Sequence, residues 1–370
     1  MSAFYSWSGD VPATPGRMLR SETLDPVLGL AGAGEQRRIL YTSTDGRDGK
    51  TPVVVSGAYF VPRGTPPAGG WPLVAWAHGT TGVADICAPS WNMRSKRDAT
   101  YLNAWLGQGY AIVATDYQGL GTPGPHPYLL TRPEAYSVLD SVRAVLRDRP
   151  DVANKIVVIG QSQGGQAAFA TGGIAPVYAP ELGIRGIVAT GVPFIGAGGA
   201  RRPEEKAGEV DPTAAYSLYI AILLQQGNPV RAANQLIAAP ALPLLERART
   251  TCVATMFDAV REAGVNRSTV VVPGFGTAFR TVLPEMEYST LRLPEPVFVG
   301  TGAYDRDVPP AGQLALVRNA CVEGTVVQAH LYAGLNHGET VNASLRDSVP
   351  FVRKVLAGEA VGAVCEPVAQ

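Results

Sequence analysis

The residues whose types and spacing carry the most chemistry are Gly160-Gln161-Ser162-Gln163-Gly164. Ile156 to Ile159, just before them, is a short apolar, β-branched run that reads as a buried strand, and Gln163 to Thr171 reads as a helix. A serine on a sharp strand-to-helix turn has its oxygen exposed. The turn needs glycine on both flanks, because a Cβ at either place would collide with the neighbouring strand or helix backbone. Such a serine does covalent acyl chemistry only if a base takes its proton and an acid orients that base. The rest of the chain must supply both.

Four histidines could serve as the base, at 78, 126, 330 and 337. Where a serine follows this kind of strand, the acid and then the histidine come later in the chain, which leaves His330 and His337. His330 lies in Thr325 to Tyr332, which alternates like a strand and would hold the ring against a sheet. His337 lies in Gly334-Leu-Asn-His-Gly338, a loop past that strand's carboxyl end, and is the favoured base. For the acid, Pro296 to Thr301 reads as a strand and is followed by a loop carrying Asp305 and Asp307. Asp305 is favoured by its G-x-x-D-x-x-V-P spacing, with Asp307 directed toward Arg306 or solvent. The alternative for Asp305 is a turn-forming role in a Gly- and Pro-rich loop. Acyl transfer further needs two backbone N–H groups for the developing oxyanion. Gln163 supplies one, and Thr80, in the loop after Trp71 to Ala77, is expected to supply the second ahead of Thr81. His78 is expected to prop that loop through backbone hydrogen bonds.

The chain has 370 residues, 46% of them hydrophobic and 17% charged, with 31 basic and 31 acidic side chains. A sizeable core is easily built at this length. Balanced charge without Lys/Arg clusters argues against nucleic acid or an anionic membrane surface as the main partner. No apolar run is long enough for a transmembrane helix, and no metal or cofactor motif is present. The start, Met-Ser-Ala-Phe-Tyr, lacks a basic n-region and apolar h-region, so a signal peptide is not expected within it. Cysteines 87, 252, 321 and 365 are not spaced like zinc ligands, and two disulfides are expected. Four cysteines allow three connectivities. Topology suggests Cys321 with Cys365, which flank the last strand and helix, and leaves Cys87 with Cys252.

Along the chain, residues 1 to about 35 read as an irregular lead-in. Arg37 to Thr44 and Thr51 to Val61 read as paired strands, followed by strands at Leu73 to Ala77, Ala111 to Asp116, Lys155 to Ile159, Gly186 to Thr190, Val297 to Thr301 and Thr325 to Tyr332. Helical stretches such as Ala99 to Gln108 and Ala135 to Asp148 alternate with them, which means parallel βαβ units with helices on both faces. Between 196 and 292 the rhythm breaks into helices at Asp211 to Gln226, Val230 to Ala238 and Leu242 to Ala263. The expected organisation is a core over 1–195 and 293–370 and a helical cap over 196–292. Leu218, Tyr219, Ile220, Leu223 and Leu224 would either shape an apolar pocket over Ser162 or pack against the main domain.

These segments, with Pro15-Gly-Arg-Met-Leu-Arg-Ser-Glu22 at the front and Thr115-Asp-Tyr-Gln-Gly-Leu-Gly121 after the fourth strand, resemble the secretory lipase family of α/β-hydrolases along nearly the whole chain. The resemblance implies an α/β-hydrolase fold and a secreted, cofactor-free ester hydrolase with a helical lid. It carries the catalytic roles to Ser162, Asp305 and His337. The substrate implied is a small-molecule or lipid ester, with transient contact at a lipid interface compatible with it. Gln161 and Gln163 depart from the aromatic or small residues frequent beside the nucleophile, which suits shorter or more polar acyl groups. Two other readings compete, a serine peptidase of prolyl-oligopeptidase type and a non-catalytic binding protein on the same fold. The peptidase usually carries a large N-terminal propeller, and a binding protein has no use for the ordered set of serine, acid and histidine.

Overall fold

Runs of Val, Ile and Ala that are apolar on both sides make strands where both faces of a sheet are covered. The computed structural model describes residues 1–196, 208–228, 230 and 232–370. Within them the strands are β1 (Met18–Thr23), β2 (Ala33–Thr44), β3 (Pro52–Pro62), β4 (Trp71–Ala77), β5 (Ala111–Thr115), β6 (Val152–Gln161), β7 (Ile184–Thr190), β8 (Val297–Gly302) and β9 (Val327–Tyr332). They form one nine-stranded sheet in the order β1-β2-β3-β5-β4-β6-β7-β8-β9. β1, β2 and β3 pair antiparallel and β3 meets β5 antiparallel; every pairing from β5 to β9 is parallel.

Helices α1 (Lys96–Gly107), α2 (Thr131–Asp148) and α3 (Gln163–Tyr178) follow the early parallel strands. The strand period of two divides the core cleanly. On one face Ile156 and Val158 of β6 pack with Val138, Leu139 and Phe169. On the other, Val157 and Ile159 pack with Leu102, Trp105 and Phe351.

Between β7 and β8 come α4 (Ala214–Gly227), α5 (Leu242–Ala248), α6 (Val253–Ala263), α7 (Arg267–Val270), α8 (Phe275–Arg280) and α9 (Leu283–Met286). They share a hydrophobic cluster of their own, centred on α4 and joined by Tyr128 and Leu130 of the core. The chain then returns through α10 (Pro310–Val322), α11 (Glu339–Ala343) and α12 (Leu345–Ala357).

Both expected disulfides form. Cys321–Cys365 closes a separation of 44 residues, which in the chain-entropy account contributes roughly 4 kcal/mol. It holds a tail that runs alongside β9, where Val364 N donates to Val327 O at 2.7 Å and Ala333 N donates to Gln370 O at 2.8 Å. Cys87–Cys252 spans 165 residues and ties the loop after β4 to the start of α6.

Several sequence expectations need correction. The lead-in is not irregular throughout, because Met18–Thr23 adds a strand to β2 and β2 itself starts at Ala33. The expected helix from Leu242 to Ala263 is two helices, broken at 249–252 where the disulfide enters. In the expected helix Val230 to Ala238, residue 231 lies outside the described residues, and the remainder forms only a short 3-10 turn, Ala233–Leu236. Of the expected start of the cap, residues 197–207 lie outside the described residues.

Candidate active site

The turn between β6 and α3 has the geometry its two glycines require. Ser162 sits at φ 59°, ψ −123°, a region that costs a non-glycine residue on the order of 1–3 kcal/mol and persists only where the surroundings enforce it. They do so by close packing. A Cβ on Gly160 would overlap the Gly164 carbonyl, and one on Gly164 would overlap the Ala77 carbonyl of the adjacent strand. Ser162 N donates to Thr190 O at 2.9 Å, fixing the turn to β7.

His337 and Asp305 meet at Gln161, the residue before Ser162, whose Nε2 lies 2.8 Å from Nε2 of His337. Nδ1 of His337 is 2.7 Å from Oδ2 of Asp305, with both residues buried. Asp305 also performs the turn role weighed against it, since its Oδ1 accepts from Val308 N at 2.8 Å. Gln313 Nε2 donates to Oδ2 at 2.9 Å. Gln313 was not foreseen, and no periodicity in α10 distinguishes it; nor was Gly191 foreseen. With φ 57°, Gly191 lies against the imidazole, and a Cβ there would stand 2.6 Å from Cε1 of His337. The histidine loop is itself rigid, because Asn336 Oδ1 accepts from Gly338 N and Glu339 N, each at 3.0 Å.

Asp307 differs from expectation. It does not point away: one of its carboxylate oxygens lies within 4.8 Å of ligand atoms of both Asp305 and His337. The loop folds back so that residues two apart converge. These three residues have a spacing that a divalent ion could bridge, though two of them already bond each other.

His330 is not brought to the site. Its ring stacks on Phe298 at 5.0 Å and lies 3.8 Å from Asp347, and burial lowers its pKa. His78 props its loop as expected, with Nδ1 2.7 Å from Gly79 O and Nε2 3.2 Å from Asp116 O. The Thr115 to Gly121 segment explains this. Asp116 is buried and accepts from Ser56 Oγ at 2.7 Å and Ser90 N at 2.9 Å, while Tyr117 OH donates to His78 O at 3.0 Å. Thr80 comes next after this prop, with Thr81 O held by Val253 N at 2.8 Å beside the Cys87–Cys252 bridge. Gln163 is the first residue of α3, so its N–H has no helical carbonyl to meet.

Behind Gln163 lies a buried polar group that the sequence did not reveal. Glu134 of α2 accepts from Gln163 Nε2 at 2.8 Å and from Leu129 N at 3.0 Å. Burial raises its pKa to about 8. His126 lies 3.1 Å from Gln163 Nε2, and burial lowers its pKa to about 4. Because Glu134 binds its proton more tightly folded than unfolded, its contribution to stability is full below its ordinary value of 4.5 and is lost as pH rises through about 8. Glu134→Gln cannot ionise. Thermal melts from pH 5 to 9 should therefore show wild type losing stability relative to Glu134→Gln by up to ~1.4 kcal/mol per pH unit in that window. Parallel curves would refute the assignment.

Ser162, Thr80 and Gln163 open on a cavity of about 1030 Å³ whose far walls include Tyr216, Ile220, Phe275 and Phe279. Of the five α4 residues expected either to shape the pocket or to pack against the main domain, Ile220 lines the cavity, and all five belong to the cluster that the helices between β7 and β8 share. The two glutamines flanking Ser162 do not fill it either. Gln161 turns to His337, and the Gln163 amide turns back to Glu134 and His126.

An open, mostly parallel sheet covered on both faces by helices, with a strained serine turn after β6 and the acid and histidine loops after β8 and β9, is the α/β-hydrolase fold. Comparison with known proteins narrows this. A family model described as secretory lipase matches residues 88–201. Lipase 7 of Candida albicans is 32% identical over 111 residues, 27% of this chain and 25% of that protein. A secreted triacylglycerol lipase of Malassezia globosa is 24% identical over 402 aligned residues, covering 99% of this chain and 81% of that protein. Over these spans the chain is similar to secretory lipases, and it matches only about a quarter of the length of the Candida albicans protein. Among solved structures, Candida antarctica lipase A in its closed state has a TM-score of 0.79 at 18% identity, covering 100% of this chain and 89% of that one. The rice cell wall degrading esterase LipA from Xanthomonas oryzae has a TM-score of 0.69 at 20% identity, covering 93% and 98%. These two likenesses establish the fold.

Proposed function

We propose that this chain is a secreted serine carboxylic-ester hydrolase, an esterase or lipase working through an acyl-enzyme. Ser162 attacks the ester carbonyl, His337 takes the serine proton and returns it to the leaving alcohol, and Asp305 fixes the imidazole tautomer and stabilises its protonated form. The N–H groups of Gln163 and Thr80 receive the oxyanion. The observation that carries this reading is the buried 2.7 Å His337–Asp305 pair in contact with Gln161, the residue before a strained serine that opens on an apolar-walled cavity. Two of the similar proteins, the secreted triacylglycerol lipase of Malassezia globosa and the cell wall degrading esterase of Xanthomonas oryzae, are named as ester hydrolases. Two disulfides suit an oxidising compartment. No helix among the described residues is long and apolar enough to cross a membrane. Residues 196–292 would act as a cap whose described helices supply the acyl-side wall.

Nitrophenyl esters of graded acyl length, run beside aminoacyl nitroanilides, test the activity: turnover of the esters and not the amides supports it, and the reverse favours a peptidase. The cap wall has its own test. Ile220→Trp should cut kcat/KM for long acyl chains by roughly 10-fold or more, as steric changes in apolar pockets do, with acetyl and butyryl esters little changed. A uniform loss at every length would mean that this wall does not hold the acyl chain.

A further inference from the structure

At the end of β6, immediately before the serine, Gln161 is buried and its Nε2 lies 2.8 Å from Nε2 of His337. Nδ1 of the same ring faces Asp305, and in the tautomer with the proton on Nδ1 the lone pair lies on Nε2, where the amide N–H can donate to it. That lone pair is also the one that must receive the Ser162 proton. It cannot take both hydrogen bonds in good geometry, so amide and hydroxyl compete for it. The other end of the amide is seated too: a Cβ on Gly79 would overlap Gln161 Oε1, so this side chain lies against the residue before Thr80. One side chain thus spans the base and the loop offered as the second oxyanion donor.

We propose that Gln161 is a resting-state latch on the base, occupying Nε2 of His337 until substrate arrives and swinging off before Ser162 can be deprotonated. The inference rests on the triad reading above. No atoms are exchanged with Gln161. Once it releases, the Ser162 hydroxyl donates to Nε2, its proton transfers there as the new bond to the carbonyl carbon forms, and the same proton later goes to the leaving alkoxide. A neutral amide suits this task, because it donates to an unprotonated imidazole and carries no charge that would have to be desolvated on release. The cost of release is the strength of one hydrogen bond, set against reaction with the serine.

The test is the bimolecular rate at which diethyl p-nitrophenyl phosphate phosphorylates the enzyme, read as released nitrophenolate. Gln161→Met keeps the length and removes the donor; Gln161→Ala removes the side chain beyond Cβ. Both should react roughly 2–10-fold faster than wild type, the range of one neutral hydrogen bond. A merely structural Gln161 would give slower reaction on substitution, and an equal or slower rate in both variants overturns the latch. Should the variants fold poorly, the side-chain amide signals of Gln161 in 15N-labelled wild type serve instead. They should move on phosphorylation, and unchanged signals overturn the proposal. Failure of the triad reading looks different: peptide mapping would then find the phosphoryl group elsewhere than on Ser162, or His337→Ala would leave the rate intact.

Discussion

Ser162→Ala is expected to lower kcat on a short-chain nitrophenyl ester on the order of 10⁶-fold, the loss seen where a comparable triad loses its serine or histidine. His337→Ala should lose as much. His330→Ala and His126→Ala should lose far less. The ranking follows from position. His330 is stacked on Phe298 with its Nδ1 toward Asp347, and His126 faces Gln118 O and the Gln163 amide, so neither offers a nitrogen to the serine. A residual rate of ~10³–10⁴ over water should survive in Ser162→Ala from the oxyanion donors and substrate binding alone. Turnover close to wild type in that variant would remove the nucleophile assignment, and dominance of His330→Ala would move the base.

Asp305→Asn is the second large effect, expected to cost up to ~10⁴ in kcat because an amide at that place leaves the imidazole in the wrong tautomer and its protonated form unsupported. Asp307→Asn should cost much less. The comparison is demanding, since Asp307 stands closer to His337 than its spacing suggested. What marks out Asp305 is its direct contact with the ring. Asp305 Oδ2 is 2.7 Å from Nδ1 and is braced by Gln313, and its second oxygen is anchored on Val308 N. Measuring both variants on one butyryl ester, with circular dichroism to confirm folding, decides it. If Asp307→Asn is the inactive member, the acid has been assigned two residues too early.

The elbow could be read from sequence because its requirement is local: two glycines whose absent Cβ atoms make room for a carbonyl each. The parallel strands could be read because their apolar runs need both faces covered. Chain order then left His330 and His337 as bases; a loop past the strand end favoured His337, and the G-x-x-D-x-x-V-P spacing favoured Asp305 over Asp307. The features that escaped notice did so for physical reasons. β1 is Met-Leu-Arg-Ser-Glu-Thr, half-exposed along most of its length and without the alternation that marks a strand. Chain order does not show that β5 lies between β3 and β4 in the sheet. α4 is apolar nearly all the way round, so no stripe indicated which side would meet the cavity. Glu134 carries no sequence signal that separates it from a surface charge, whereas it is fully buried behind the Gln163 amide. Gln161 and Gln163 suggested a polar acyl site because only their composition was visible; their side chains turn inward to His337 and to Glu134.

The tail held by Cys321–Cys365 has a consequence outside catalysis. An open sheet ends in a strand whose outer N–H and C=O groups are a ready template for another molecule's strand. At β9 those groups are already taken in part: Ala329 N donates to Val364 O, Val364 N to Val327 O, Gln370 N to Leu331 O and Ala333 N to Gln370 O. The last few residues therefore act as a short, covalently pinned false neighbour that blocks edge-to-edge recruitment. Reducing the bridge would leave these backbone hydrogen bonds alone to keep the tail over that edge.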